Sequence, residues 1–490
     1  MNGKTCVLAF DFGASGGRAI RCHFDGKKLE LEKIHRFANE PVTLNGTLCW
    51  NLDALFQEVL AGIEKARDAG GFDSIGVDTW GVDFGLLGED GNLLEPPVHY
   101  RDGRTNGLSD EVRSLLGENA LYEMTGTQRM DINTLFQLYS LHKNRPEFLE
   151  KAKSLLLMPD LFNYLLTGEQ HSEQTIASTT QMLNLSGKTW NKPLLEKLGL
   201  PQDILPKPIA PGSQAGMLKE DICKKLGVPP VPVIAVASHD TASAVMAVPA
   251  TEKIFIFISC GTWSLFGTER TEPIINQLSE SCNLTNELGF SDTVTFLKNI
   301  IGLWLIQETR RQLRREGREY SFAQIEDLAR KNRPFACFID PDAPEFVPAG
   351  DIPGRVRAFC EKTGQYVPQT DGEIFRCIYE SLAMKYRFAF EQIKFCTKNS
   401  YRAIHMVGGG TNDSLLCQLT ANAAGIPVTA GPIEATAMGN AAAQLVALGL
   451  IPNLEQARTV IRSSFEPQKY APVEPELWSQ QYQKIQKLFR

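Results

Sequence analysis

No apolar stretch in these 490 residues reaches the about 18 needed to span a bilayer, and Asp11 interrupts the first apolar run early. No membrane segment and no secretory leader are expected, and a cytoplasmic location is. No Cys-x-x-Cys pair occurs among the 11 cysteines, which disfavours a structural zinc site. Positive charge is not in excess. The formal net charge of −7 argues against a nucleic-acid binder, which must concentrate cations to displace counterions. The one basic run, Arg310, Arg311, Arg314, Arg315 and Arg318, alternates with Glu308, Glu316 and Glu319 and reads as a solvated helix face. Low-complexity tracts are absent. With 43% hydrophobic and 22% charged residues the composition is that of a globular protein, long enough for two domains. A Walker loop is missing, and so is the dinucleotide fingerprint, because a strand rather than a helix follows Gly17.

What is present begins with three strands: the apolar run Cys6–Phe10, the alternating Arg18–Phe24, and Leu29–Phe37 after the Asp25-Gly26 turn. Between the first two lies Asp11-Phe12-Gly13-Ala14-Ser15-Gly16-Gly17-Arg18. Small residues let backbone N–H groups approach phosphate oxygens, and an acid at the entry can hold a magnesium ion, although a plain hairpin turn would also use these glycines. A capped helix over 51–70 leads to Ser74-Ile-Gly-Val-Asp78-Thr-Trp80-Gly81-Val-Asp83-Phe84, read as one strand. Its acids, Trp80 and Gly81 suit the wall of a polar-ligand pocket, or a sheet edge with Asp facing water.

Pro232–Val236 reads as a buried strand and Thr241–Ala247 as the start of a helix, so Asp240 stands at a strand-to-helix corner. A carboxylate there can cap the helix or, near the free N–H groups, act as the general base of a phosphoryl transfer with an ordinary low pKa. The plan then restarts. Ile254–Ile258, the loop Ser259-Cys260-Gly261-Thr262 and Trp263–Phe266 repeat strand, small-residue loop and returning strand, which suggests a duplicated domain with a phosphate loop in each half. Lys298 and Asn299 precede a helix expected over 300–315 that carries Gln307. After the strand Ala403–Val407, Gly408-Gly409-Gly410-Thr411-Asn412 permits flat contact with a purine and its ribose, since a tight turn alone explains one glycine rather than three. The small-residue helix after Glu434 suits close helix packing.

Phe10-Asp11-Phe12-Gly13, Ser238-His239-Asp240-Thr241, Ser259-Cys260-Gly261-Thr262 and Gly408-Gly409-Gly410-Thr411-Asn412 together resemble the FGGY carbohydrate kinases of the actin-like ATPase superfamily. The resemblance implies an α/β chain of two ribonuclease-H-like domains around a central cleft: 1–247, with sugar site and base, and 248–490, with the nucleotide site. Asp78–Phe84, Tyr100-Arg101-Asp102, Met158-Pro159-Asp160 and Ala237–Ala244 are most similar to the members that use ATP to phosphorylate the C1 hydroxyl of L-rhamnulose in rhamnose breakdown. By the same resemblance Ala14, Ser15, Gly16, Gly17, Arg18, Thr262, Asn299, Gln307 and Gly409 match ATP contacts. Gly81, His239 and Asp240 match the sugar site, joined by Trp80 and Asp83. Asp11 would position Mg2+ on the ATP phosphates. Similar kinases bridge a cysteine pair spaced like Cys360 and Cys377, a link worth about 3 kcal/mol in the loop-entropy model, whereas a reducing cytosol favours free thiols.

The helix near Leu141-His142-Lys143 lacks the Lys-aromatic-Trp pattern of many FGGY kinases, which makes xylulose or glycerol a poor substrate. A monomer or small homo-oligomer is expected. Rival readings are a related ketose kinase acting on L-fuculose, a non-kinase actin-like ATPase, and an NAD-dependent oxidoreductase.

Overall fold

A computed structural model of the chain describes residues 5–117 and 119–489. The chain forms two compact units, neither continuous in sequence. One comprises Met1–Pro249, Arg270–Phe296 and Ala435–Phe465; the other comprises Ala250–Glu269, Leu297–Glu434 and Glu466–Arg490.

The first unit is built on six strands: β1 (Thr5–Gly13), β2 (Gly16–Phe24), β3 (Leu29–Ala38), β4 (Ser74–Thr79), β5 (Ser213–Met217) and β6 (Pro232–Ala235). Their order across the sheet is β5-β6-β4-β1-β2-β3. β1 is the apolar run and lies inside, antiparallel to β2 and parallel to β4, because a strand buried on both faces needs no polar alternation. The second unit uses β7 (Ile256–Cys260), β8 (Trp263–Arg270), the end of β9 (Val294–Ile301), β10 (Ile404–Val407), β11 (Val428–Ala430) and β12 (Gln468–Tyr470). These run β9-β8-β7-β10-β11-β12, with β7 antiparallel to β8 and parallel to β10. The same plan thus occurs twice, as the restart in the sequence suggests.

Two stretches depart from their sequence reading. The expected strand over 74–84 stops at Thr79, and a second one, Phe84–Leu87, begins after a turn. Val82 sits at φ +68°, a left-handed conformation that costs a β-branched residue about 1 to 3 kcal/mol. The turn is held open by side chains. Val82 N donates to Thr179 Oγ1 (3.2 Å), while Val82 O accepts from Thr134 Oγ1 (2.6 Å). Likewise the helix expected over 300–315 begins only at Trp304, because Ile300 and Ile301 still belong to β9. Within that helix Glu308 is buried and takes Arg311 and Arg315, each at 3.0 Å, so part of the basic face is neutralised locally.

The helix Ala435–Ala447 packs within the first unit against the helix Asp240–Met246 and against β1 and β4. Its small residues are required there: a Cβ on Gly439 would stand 1.8 Å from the Ser243 carbonyl oxygen. Gly439→Ala must push the two helices apart, at about 1 to 3 kcal/mol or more. A denaturant midpoint unchanged in this variant would refute that packing.

Cys360 and Cys377 are both free thiols here, so the bridge implied by the resemblance is not formed. Both instead contact a third sulfur, that of Cys337. Among the described residues no helix is long and apolar enough to cross a membrane.

Candidate active site

In the first unit β6 ends at Ala235, and the chain turns through Ser238 and His239 into the helix Asp240–Met246. His239 is the N-cap, with no side-chain capping bond, and Asp240 is the first helical residue. Asp240 is therefore not the cap. Its carboxylate accepts from Thr241 Oγ1 (3.2 Å) and keeps 31% of its side chain exposed, so it can reach a ligand. Desolvation raises its pKa above the usual carboxylate value, opposed by the His239 charge and the Thr241 hydrogen bonds. The ordinary low pKa expected from the sequence is thus shifted upward.

The backbone of this corner is fixed from two sides. Glu173, fully buried, accepts from Ser238 N (3.1 Å) and from Thr175 N (2.8 Å), while Thr175 Oγ1 accepts from His239 N (3.2 Å). On the other side Thr79 N donates to Ser238 O (2.9 Å), which ties the corner to the turn carrying Trp80 and Gly81. Side-chain charge orients the imidazole. His239 Nδ1 lies 3.1 Å from Glu287 Oε2, and Nε2 lies 3.4 Å from Asp240 Oδ1. Burial works against a charged imidazole, but Glu287, Asp240 and Glu173 outweigh it and raise its pKa above the ordinary 6.5.

Asp11 pairs with Arg18 across the β1–β2 ladder, Arg18 Nη2 donating to Asp11 Oδ2 at 2.8 Å. The loop between them is short: Gly13 faces Gly16, leaving Ala14 and Ser15 as the turn. Gly17 is demanded by packing, since a Cβ there would fall 2.3 Å from the Phe37 ring. On the neighbouring strand Asp78 lies in register with Asp11. Asp78 is wholly buried. One oxygen accepts from Asn440 Nδ2 (2.6 Å), and the other, Oδ1, has no hydrogen-bond partner. Burial first, then the charges of Asp11 and Asp240, push its pKa well up. Adjacent carboxylates with an unpartnered oxygen form a hard-oxygen donor set of the kind a divalent cation takes.

Trp80, Gly81 and Asp83 lie on the following turn. Asp83 serves the protein itself: its oxygens accept from Trp50 Nε1 (2.6 Å), Trp80 Nε1 (3.0 Å), Tyr100 N (3.2 Å) and Gln137 Nε2 (3.0 Å). Burial raises its pKa to about 6 despite these bonds. Trp80 packs against Trp50 (4.2 Å between ring centroids), and Trp50 stacks on His99 (4.0 Å). Gly81 presses on Thr179, whose Oγ1 would lie 3.1 Å from an added Cβ.

In the second unit Gly261 and Thr262 form the matching turn between β7 and β8. Backbone N–H groups of Gly302 and Trp304 donate to Thr262 O (3.2 and 3.1 Å), which seats the helix Trp304–Arg315 on this turn. Gln307, in its first turn, lies 3.5 Å from Thr262 Oγ1. Asn299 is half-buried on β9. The three glycines after β10 divide in role. Added Cβ atoms on Gly408 and Gly410 would collide with Cys260, at 3.0 Å from its carbonyl oxygen and 2.2 Å from its sulfur, whereas one on Gly409 meets nothing within 4 Å. Two glycines are therefore required by packing on β7, and Gly409 alone faces open space.

The profile of the FGGY family of carbohydrate kinases, N-terminal domain, matches residues 6–247, and that of its C-terminal domain matches 256–448. The chain belongs to the FGGY family of carbohydrate kinases. This FGGY kinase is 42% identical to a rhamnulokinase of Halalkalibacterium halodurans over 96% of its own length and 99% of the relative. It is 40% identical to a rhamnulokinase of Bacteroides thetaiotaomicron over 98% of each chain. Among solved structures its fold is similar to a xylulose kinase from Lactobacillus acidophilus, with a TM-score of 0.81 at 17% identity, covering 99% of this chain and 97% of that one.

Four residues that position the site in this kinase escape the sequence reading: Glu173, Glu287, Asn440 and, as an unpartnered acid, Asp78. Glu287 and Asn440 come from segments distant in sequence that rejoin the first unit. Glu173 left one available signal, a carboxylate just ahead of Thr175 and able to cap a helix, which it does for Gln174–Ser178.

Proposed function

We propose that the chain transfers the γ-phosphoryl group of ATP to the C1 hydroxyl of L-rhamnulose, giving L-rhamnulose 1-phosphate. The observation that carries this reading is Asp240: a part-exposed carboxylate at a helix start, its neighbour His239 held between two acids. Full-length relatives named rhamnulokinase supply the choice of sugar. On this reading 1–247 binds sugar and supplies the base, and 248–490 is the nucleotide-binding half. The protein works in the cytoplasm as a monomer or small homo-oligomer.

Asp240 accepts the hydroxyl proton as the new P–O bond forms, late in a loose transition state that asks little of the nucleophile beforehand. The upward shift of its pKa makes it a better proton acceptor than a surface Asp. His239 donates to a neighbouring sugar hydroxyl and thereby orients C1. Trp80 and Gly81 bound the sugar, and Asp83 holds that wall in shape through Trp50, Trp80 and Gln137. Asp11 and Asp78 would hold Mg2+, which when bound neutralises charge on the ATP phosphates. Ala14 to Arg18, Thr262, Asn299, Gln307 and Gly409 are the ATP contacts on this reading.

Gly409 and Gly410 offer a contrast in two measurements. Gly410→Ala should cost about 1 to 3 kcal/mol of stability through Cys260. Gly409→Ala should leave the unfolding midpoint in place and raise the KM for ATP. Equal destabilisation by both would remove Gly409 from the nucleotide site.

The deciding assay is ADP release with ATP and, in turn, L-rhamnulose, L-fuculose, D-xylulose and glycerol. L-rhamnulose should give the highest kcat/KM. A preference for L-fuculose would replace the substrate, and ADP release independent of any sugar would replace the reading with a non-kinase ATPase.

A further inference from the structure

Three cysteines from separate elements of the second unit meet in its interior. Cys337 lies on the segment after the helix Phe322–Lys331, Cys360 on the helix Ile352–Lys362, and Cys377 on the helix Asp371–Thr397. Their sulfurs all lie within 4.8 Å of one another, and all three residues are buried. Spacings of 23 and 17 residues give no motif, which is why the sequence does not join Cys337 to Cys360 and Cys377.

The surrounding backbone holds the cluster in place. Gln365 clamps the segment next to Cys337, its side chain accepting from Phe338 N (2.9 Å) and donating to Phe338 O (2.9 Å), while its own N–H donates to Cys360 O (2.9 Å). Ser381 does the same for the other helix: its Oγ accepts from Ile339 N (2.9 Å) and donates to Cys377 O (2.6 Å). One polar side chain thus couples Cys337 to Cys360 and another couples it to Cys377. Such outer partners fix ligand positions at metal sites.

We propose that Cys337, Cys360 and Cys377 form a three-thiolate site for a single Cu(I) ion. Thiolates select soft cations. Zn2+ in a structural site takes four ligands, and among the described residues no fourth His, Cys, Asp or Glu joins the group. Burial withholds water from the fourth position as well. A soft cation content with three sulfurs is the match. On binding, each ligating thiol gives its proton to solvent, and no electron is exchanged. A disulfide between Cys360 and Cys377 would instead use two sulfurs and leave Cys337 outside.

The full chain, reduced and kept anaerobic, is titrated with Cu(I) against a chromophoric Cu(I) chelator and with Zn2+ against a zinc chelator. One Cu(I) per chain is expected, held more tightly than Zn2+. Cys337→Ser should weaken it by about 100-fold or more, beyond the 10- to 100-fold typical of outer-partner losses, and Cys396→Ser should not weaken it. Because serine in this core can impair folding, the unmodified chain is also alkylated natively with and without Cu(I), and the labelled cysteines are mapped by mass spectrometry. Protection of Cys337, Cys360 and Cys377 together supports the site. Protection elsewhere, tighter Zn2+ binding, or a Cys360–Cys377 bridge in the isolated chain with no Cu(I) uptake after reduction overturns it.

Discussion

Asp240→Asn is expected to lower turnover by about 100-fold or more, the scale of a lost positioned base, with ATP affinity retained. The amide keeps the shape and the place at the helix start but cannot accept a proton from a sugar hydroxyl. Stability should not fall with activity. The Asp240 carboxyl titrates higher in the folded chain than in the unfolded one, where 3.8 is the ordinary value. Folding therefore loses stability as pH rises from that value through the folded pKa. Asparagine removes this dependence, so at neutral pH the variant should melt no lower than the parent. Near-normal turnover in Asp240→Asn would remove Asp240 from the mechanism.

Glu287→Gln should produce the second largest loss, in kcat/KM for the sugar rather than for ATP. Glu287 holds His239 from the side opposite Asp240, at 3.1 Å. Removing one partner of a buried polar pair costs about 1 to 3 kcal/mol, or about 5- to 150-fold in rate if the cost falls on the transition state. The sign of the imidazole shift is testable directly. Desolvation alone lowers the His239 pKa, and Glu287 is the largest influence raising it. In the variant the pKa should drop, as followed by NMR of the ring protons. In the parent the pair stabilises the fold fully below about the unfolded value of 6.5 and loses that contribution as pH rises through the raised folded pKa. An unshifted His239 titration in Glu287→Gln would show that the contact does not orient the ring.

How much of this was legible depended on sequence distance. β1, β2 and the Asp240 corner follow from apolar runs ended by small or acidic residues, signals confined to a few neighbours. The repeat of strand, short turn and returning strand at 256–270 was legible for the same reason. The turn at Val82 was not: Val favours strands, and Thr134, Gln137 and Thr179 from other segments hold it at positive φ. Asp83 read as a sugar acceptor because three of its four protein donors, Trp50, Tyr100 and Gln137, lie outside its local sequence. The three glycines after β10 pointed to a flat contact, but two of them answer to Cys260, a residue 148 and 150 positions away. Glu287 and Asn440 carry no local pattern at all.

The discontinuous first unit bears on how the chain is made. Asp78 leaves the ribosome 362 residues before Asn440, the donor to one of its buried oxygens. At about 5 to 20 residues per second that gap lasts roughly 20 to 70 s. Throughout it the nascent sheet lacks the helix that packs on β1 and β4, and an acid meant for the interior has lost a partner. The N-terminal half is therefore expected to remain unfinished during synthesis and to call on chaperones. A fragment cut at residue 247, although it spans a whole family domain by sequence, should not fold by itself.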